Sequence, residues 1–281
     1  MVTTASGAYT LAASSGGVAV SSATPQPIGT ATAGVSEDAA RADHVHAPAS
    51  PYPSTTGGVL ILDPDALSSV TLVSGRISAM ASQVGALTVA QSTAGQRPLL
   101  VPRGLGGRAI VSCSASRIDR LTITNAALEI ADPILLAVAR VTTYAGHSTL
   151  FSVDDAGPIY ARWGAWASSA TTSDLRIDAG TVPATVVQRA GETWERWAVY
   201  AYRVATREWW ADGRLIVDAA DRTPTYPAGP YASFIGSMGG DWAWLGIYDG
   251  ATALSGTTWG EWALSQTAQL AARFGLQVRP T

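Results

Sequence analysis

The sequence predicts an all-β, antiparallel sandwich or barrel behind an extended N-terminal segment, and three observations support this prediction. Polar and apolar residues alternate in short runs such as 174–178, as in a strand with one buried face. Runs with strand character recur about every ten to fifteen residues, with Gly, Asp or Pro between them. The dipeptide Asp212-Gly213 lies between two β-forming runs and favours a type I′ hairpin, which joins antiparallel strands.

The predicted strands fall in the second half of the chain, and one helix follows them. The runs are 134–143, 149–153, 159–166, 174–178, 197–204, 208–217, 232–238 and 242–248. Ser265 is placed to cap the first turn of the helix. Leu270, Ala271 and Phe274 fall on one helical face, and Gly275 is placed for a left-handed C-cap.

Composition excludes several classes of protein. Charged residues make up 14% of the 281 residues and the net charge is −3, which argues against a nucleic-acid-binding surface. The single cysteine, Cys113, excludes an intramolecular disulfide and a cysteine-based zinc cluster. The chain has neither an apolar run long enough for a membrane span nor an N-terminal secretion signal. We therefore expect synthesis in the cytoplasm without a signal peptide.

The chain divides by composition into four parts. Residues 1–27 form a thin Ala/Ser/Gly/Thr-rich arm, 28–48 a joint that contains two histidines, 49–58 a Pro/Gly linker, and 59–281 a domain large enough to fold alone. The arm has too few apolar residues to fold by itself, so it either stays disordered or becomes ordered on a partner, for example by adding a strand to it.

His44 and His46 are candidate metal ligands. In an extended chain their i, i+2 spacing places both imidazoles on one face. Two histidines do not fill a coordination sphere, but three chains on a threefold axis bring six nitrogens, enough for an octahedral site. The alternative is a polar turn whose histidines face water.

Residues 29–46 carry a recognisable motif, Gly-Thr-Ala-x-Ala-Gly-x-Ser followed by Arg-Ala-Asp-His-Val-His. This segment resembles one that recurs in tail-fibre and head-fibre proteins of tailed bacteriophages and related particles. The resemblance implies a homotrimer with a transition metal, iron or zinc, on its axis. It also implies a place on the surface of a virion or gene transfer agent, with the N-terminal arm bound to a capsid, tail or baseplate protein or to another fibre subunit.

The large domain resembles the concanavalin A-like lectin/glucanase superfamily in its laminin-G-like form. The matching stretches are 62–67, 74–78, 93–98, 104–111, 234–236, 245–255 and 269–276. The resemblance implies a jelly-roll sandwich of two curved antiparallel sheets. Trp242-Ala243-Trp244 departs from the pattern, because relatives commonly carry a smaller apolar residue and a Glu there.

The excess of aromatic residues predicts a carbohydrate-binding surface. The chain has 10 Trp, and indole presents a large apolar face on which a sugar ring can stack. The candidate sugar contacts are Trp163, Trp166, Trp194, Trp209, Asp241, Trp242 and Trp244. The alternative is that these tryptophans fill the core between the sheets.

No catalytic motif stands out, so the sequence predicts that the protein is not an enzyme. Glycan-cleaving members of the superfamily use a Glu-x-Asp-x-(x)-Glu strand, and none of the six Glu of this chain belongs to such a pattern. Glu192 and Glu195 fit a solvated strand edge. Asp154 and Asp155 offer oxygens for calcium, but an ordinary Asp-rich turn explains them as well.

Three functions are therefore open. The first is a phage-like fibre or spike whose lectin-like domain binds host surface polysaccharide. The second is a decoration module that attaches other fibre subunits and binds no sugar. The third is a glycan-degrading spike. Binding to glycans separates the first from the second, and shortening of the polysaccharide identifies the third.

Overall fold

The computed structural model describes residues 53–117, 119–123, 130, 132–143, 148–154, 164–167, 175–178, 183–186, 196–203, 205–206, 208–217, 232–236 and 239–278. Within these residues the chain forms strands, three short 3₁₀ turns and two α-helices. The strands are β1 (Gly58–Leu62), β2 (Val70–Val73), β3 (Arg76–Ala81), β4 (Thr88–Ala90), β5 (Leu99–Leu105), β6 (Arg108–Cys113), β7 (Arg120–Ile123), β8 (Pro133–Thr143), β9 (Ser148–Asp154), β10 (Gly164–Ala167), β11 (Leu175–Asp178), β12 (Pro183–Val186), β13 (Ala198–Arg203), β14 (Glu208–Ala211), β15 (Arg214–Val217), β16 (Ala232–Gly236) and β17 (Gly239–Asp249). The helices are α1 (Gly250–Ala253) and α2 (Trp259–Phe274).

The strand pairings build two sheets, which we call the central and the outer sheet. The central sheet runs β15–β14–β13–β8–β17, and β17 pairs along its other edge with β1 and with β6, which in turn pairs with β5. The outer sheet runs β2–β3–β4–β7–β16–β9–β10–β11–β12. One pairing between β3 and β5 joins the two sheets at a corner. All of these pairings are antiparallel, which confirms the predicted all-β class; the jelly-roll connectivity stays a prediction.

A buried apolar cluster lies between the two sheets. Leu62, Tyr202 and Trp242 enter it from the central sheet, and Met80 and Leu121 enter it from the outer sheet; all five are 0% exposed. Because residues of both sheets share one core, the sheets must face each other as a sandwich.

Helix α2 covers the opposite face of the central sheet. Its residues Trp262, Leu270 and Phe274 form a second buried cluster with Leu136 and Val138 of β8. The central strands are thus covered on both faces, which explains why the run 134–139 is continuously apolar and does not alternate. Within the described part of the chain, no helix is both long and apolar enough to cross a membrane.

Helix α2 begins earlier than the sequence predicts. Ser265 lies inside the helix, and the N-cap is Thr258. The Thr258 side chain accepts a hydrogen bond from the Glu261 N–H, while the Glu261 carboxylate accepts one from the Thr258 N–H, a complete capping box. The predicted end is confirmed, because Gly275 is left-handed with φ 67°.

The predicted hairpin at Asp212-Gly213 is confirmed. These two residues connect β14 to β15 and have φ values of 50° and 81°, the positive values that a type I′ turn requires. Glycine adopts this conformation without steric cost, and aspartate is among the residues that tolerate it.

A buried ion pair fastens the last turn of α2 to the chain that follows β1. Arg273 Nη2 lies 2.7 Å from Asp63 Oδ2, and the two side chains are 1% and 2% exposed. Arg108 extends this network by donating to Asp65 at 2.7 Å and to the Arg273 carbonyl at 3.0 Å. Burial raises the pKa of Asp63 above its ordinary value, and this effect outweighs the lowering by Arg273.

Candidate functional site

Three of the predicted sugar-binding tryptophans are buried, so the prediction that they face solvent is wrong. Trp209 and Trp242 are 0% exposed and belong to the cluster between the sheets. Trp244 is 1% exposed and belongs to the cluster under α2. A sugar ring needs an accessible indole face, and none of these three rings offers one.

A β-bulge determines how Trp242 and Trp244 are buried. Their i, i+2 spacing would place them on the same face of a regular strand. The register of β17 against β8 shifts between them, since Trp242 pairs with Ala139 and Trp244 with Val138. The extra residue, Ala243, turns Trp244 toward the helix while Trp242 stays between the sheets.

The remaining predicted residues, apart from Asp241, lie where the structure gives no side-chain description. His44, His46, Trp163 and Trp194 lie outside the described residues. Trp166 lies in β10, where its backbone pairs with Arg176 of β11 and Thr149 of β9, and its side chain lies outside the description.

Asp241 is the predicted site residue that stands in a polar setting, together with three residues on neighbouring strands. We call Ser112, Arg140, Trp197 and Asp241 the Trp197 cluster. In register, Asp241 of β17 lies opposite Ser112 of β6 on one side and Arg140 of β8 on the other. Trp197 directly precedes β13, and its ring lies 5.1 Å from the Arg140 guanidinium carbon.

The cluster lies on the face of the central sheet that packs against α2, and not on the face between the two sheets. Trp242 and Ala139 point between the sheets, so their neighbours Asp241 and Arg140 point to the opposite face. Trp197 packs against the cluster under α2 and remains partly exposed. The Arg140 side chain is 36% exposed. The four residues thus form a patch on a rigid sheet, in which Ser112, Arg140 and Trp197 are partly exposed and Asp241, at 7%, is buried.

Arg140 and Asp241 form an ion pair in which both guanidinium contacts go to the same carboxylate oxygen. Arg140 Nε and Nη2 both lie 2.8 Å from Asp241 Oδ2. This geometry is charge-assisted and fixes the guanidinium plane. The same guanidinium lies over the Trp197 ring, a cation–π contact that holds the indole in place.

A second ion pair supports the cluster from beside Trp197. Arg196 Nη1 donates to Asp212 Oδ2, and Asp212 Oδ1 accepts from the Val199 N–H at 2.9 Å. Asp212 is 2% exposed and lies in the type I′ turn. The hairpin turn therefore holds the chain around Trp197 through a side chain that is itself fixed by the backbone of β13.

Trp197 and Arg140 are not among the site residues predicted from the sequence, although one signal in the sequence points to Arg140. Arg140 is the first charged residue after the apolar run 134–139 of β8. A charge at that point indicates where the cover over one sheet face ends. The contact between Arg140 and Trp197 could not be predicted, because β8 and β13 are neighbours in the sheet but are separated by other strands in the sequence.

Metal binding finds no support among the described residues. In that part of the chain, no three His, Cys, Asp or Glu side chains stand close enough to share an ion. Cys113 lies near Asp119 and Asp241, but burial raises the pKa of its thiol, and the two carboxylates raise it further. Of the two calcium candidates, Asp154 is the last residue of β9. Asp155 lies outside the described residues.

Comparison with known proteins gives structural similarities only. No protein-family model matches the sequence, and no curated protein matches it. Among solved structures, the chain resembles a Trypanosoma rangeli sialidase at 12% identity and a TM-score of 0.45, over 78% of this chain and 33% of the sialidase. It also resembles the binding domain of botulinum neurotoxin serotype D at 8% identity and a TM-score of 0.44, over 75% and 50% of the two chains.

A third match is a GH54 α-L-arabinofuranosidase, at 15% identity and a TM-score of 0.48, over 79% of this chain and 60% of that enzyme. The chain therefore spans about a third of the sialidase and less than two thirds of the arabinofuranosidase. The prediction that the protein is not an enzyme is corrected here, because glycosidases are among the structures it resembles. The missing Glu-x-Asp-x-(x)-Glu strand does not exclude glycan cleavage, since it describes only one family of such enzymes.

Proposed function

We propose that the β-sandwich binds carbohydrate through the Trp197 cluster. The observation that supports this proposal is a partly exposed indole held between an apolar core and an Arg–Asp pair on adjacent strands. A sugar presents an apolar C–H face and a rim of hydroxyls. Indole suits the first, and neighbouring donors and acceptors suit the second.

The four side chains are suited to this task by their chemistry. Arg140 offers donors, Asp241 offers an acceptor, and the Ser112 hydroxyl offers both. Strands of one sheet carry all of them except Trp197, which directly precedes a strand of that sheet, so little ordering is needed on binding. One partly exposed indole offers a small contact area, so one site should bind with about millimolar to micromolar affinity.

We further propose that the chain is a homotrimeric fibre or spike of a phage-like particle, a virion or a gene transfer agent. The support is the motif in 29–46, which resembles phage fibre segments. Arm residues 1–27 would attach to a capsid, tail or baseplate protein or to another fibre subunit, and the sandwich would face the host. Three sandwiches on one fibre, and many fibres on one particle, would raise weak binding by ~10²–10⁴.

Replacing Trp197 by Ala in the full-length chain should lower binding to surface polysaccharide by about tenfold or more, because the stacking surface is lost. Arg140→Ala should have a similar effect. Surface plasmon resonance against a panel of immobilised bacterial polysaccharides measures this. The same incubations, followed for new reducing ends, measure cleavage directly.

The matched control is Arg203→Ala. Arg203 forms a comparable ion pair with Asp132 at 2.7 Å and also lies on β13, but at the other end of the strand. The Arg203→Ala variant should bind the polysaccharide as tightly as the native protein. Unchanged binding of Trp197→Ala, or equal losses in Arg140→Ala and Arg203→Ala, would contradict the proposed site.

The double substitution His44→Ala/His46→Ala should remove a bound transition metal and lower the melting temperature of a trimer. The reason is that the neutral imidazoles of three chains would complete one octahedral site. Native mass spectrometry gives the oligomeric state, and elemental analysis of the purified protein gives the metal content, expected at one ion per three chains. His147→Ala, which changes the third histidine of the chain, is the control. A monomer, or a metal-free protein whose melting temperature the double substitution leaves unchanged, would contradict the proposed metal-binding trimer.

A further inference from the structure

We propose that the Trp197 cluster selects neutral sugars over anionic ones. This inference rests on the proposed carbohydrate-binding function and specifies its ligand: a neutral sugar with adjacent hydroxyls, in contrast to a uronate, a sialate or a sulfated sugar.

Within the described part of the chain, the Arg140–Asp241 pair leaves one carboxylate oxygen and one guanidinium nitrogen without a hydrogen-bond partner. Both guanidinium contacts go to Asp241 Oδ2. Among the residues that the structure describes, none donates a hydrogen bond to Oδ1, and none accepts one from Arg140 Nη1. A hydroxyl both donates and accepts, so two adjacent hydroxyls can satisfy the carboxylate and the guanidinium together. A carboxylate or sulfate group placed at the same point only accepts, and it would leave Oδ1 without a donor.

The arginines beside Trp197 are already neutralised. Arg140 is paired with Asp241, and Arg196 is paired with Asp212. A third pair, Arg117 with Asp119 at 2.5 Å, lies at the same end of β6. In each pair the carboxylate is the more deeply buried partner, at 10%, 2% and 0% exposed. Among the residues that the structure describes, each of these three arginines thus has its own carboxylate partner.

An anionic sugar would therefore meet opposing electrostatic effects. Its charge would be attracted by the Arg140 guanidinium and repelled by the Asp241 carboxylate directly behind it. It would also lose part of its hydration on entering the patch, a loss that a paired arginine cannot fully offset. A neutral sugar pays little desolvation and meets no repulsion. The fixed carboxylate therefore determines the discrimination, while stacking on Trp197 supplies contact area to both classes.

The experiment compares polysaccharides that differ only in charge. A panel of uronate-containing and neutral bacterial polysaccharides is immobilised, and each uronate polymer is paired with its carboxyl-reduced form, in which the uronic acid has become a neutral sugar of the same linkage. The full-length protein is passed over each. The reduced member of each bound pair should bind about tenfold more tightly, and this binding should change less than about twofold between 50 and 500 mM salt.

Asp241→Asn tests the mechanism within the same panel. It keeps the shape of the side chain and removes the charge that repels an anion, so the preference for the neutral member should fall by about tenfold or reverse. Asp132→Asn, which alters the Arg203–Asp132 pair elsewhere on the sheet, should leave the preference unchanged.

The outcomes separate the two proposals. Tighter, salt-sensitive binding of the carboxylated members that Trp197→Ala abolishes would overturn the neutral selectivity and leave carbohydrate binding intact. An unchanged preference in Asp241→Asn would overturn the assigned role of the carboxylate. Absence of binding to every member of the panel by the native protein would overturn carbohydrate binding and, with it, this inference.

Discussion

Replacing Arg273 by Met should destabilise the sandwich by about 3–5 kcal/mol, because the Asp63 carboxylate would stay buried without its cation. Both side chains are at most 2% exposed, so water cannot replace the lost partner. Burial already outweighs the attraction of Arg273 in setting the Asp63 pKa, which lies above its ordinary value. The pair is thus costly to break even though it is not a strong source of net stability. Equilibrium urea denaturation of the full-length protein measures the loss.

The pH dependence distinguishes an uncompensated charge from simple loss of packing. Without Arg273, Asp63 should take up a proton in the folded state at a still higher pH. The folded state then binds more protons than the unfolded one, and stability falls as pH rises through that range. The deficit of Arg273→Met against the native protein should therefore shrink between pH 7 and pH 5. The double substitution Asp63→Asn/Arg273→Met should recover part of the loss at pH 7.

Arg140→Ala is the matched control, since Arg140 is 36% exposed and its partner Asp241, at 10%, is less deeply buried than Asp63. Water can reach this pair, so its loss should cost less than the loss of Arg273, about 1–2 kcal/mol. If Arg273→Met costs as little as Arg140→Ala, or if its deficit is the same at pH 5 and pH 7, the buried charge does not determine the stability of this junction.

Replacing Trp242 by Ala should lower the free energy of unfolding by about 3–5 kcal/mol. Trp242 is 0% exposed and fills the space between the two sheets, next to Leu245 and Ile247 of its own strand in the same cluster. Truncation removes a large apolar side chain and leaves a cavity that the sheets, fixed by their hydrogen bonds, cannot close. The measurement is the urea midpoint followed by tryptophan fluorescence and circular dichroism.

Trp197→Ala is the control, and it should show the opposite phenotype. Its ring is partly exposed, so its loss should cost less than that of Trp242, about 1–2 kcal/mol, from its contacts with Arg140 and with the cluster under α2. Trp242→Ala should keep glycan binding at a temperature where it remains folded, whereas Trp197→Ala should be folded and bind poorly. A Trp242→Ala variant that is as stable as the native protein but does not bind glycan would contradict the assignment of Trp242 to the core.

Features that depend on neighbours in the chain could be predicted from the sequence. The turn at Asp212-Gly213 and the end of α2 at Gly275 both follow from the positive φ that these residues accept. The start of α2 lies earlier than predicted, although Thr258 and Glu261 carry the capping-box spacing. Trp259 and Gly260, which open the helix, are weaker helix formers than the residues after Ser265, so helix propensity favours the later start.

The candidate site could be predicted only in part. Asp241 was identified, but beside Trp242 and Trp244, whereas its partners are Arg140 and Trp197 on other strands. These partners are far apart in the sequence, and only the pairing order β17–β8–β13 brings them side by side. Strand order is set by the closure of the whole sandwich, and no local pattern records it.

The sequence by itself determined the antiparallel all-β class, the hairpin and the C-terminal helix, because periodicity, turn residues and caps act over a few neighbouring positions. The tertiary structure alone decided which aromatic residues face solvent. A sheet covered on one face would expose every second side chain, but α2 covers the second face, and a bulge at Ala243 sends Trp242 and Trp244 to opposite sides. Burial depends on what packs against each face, so an indole with the same local pattern becomes core in β17 and surface before β13.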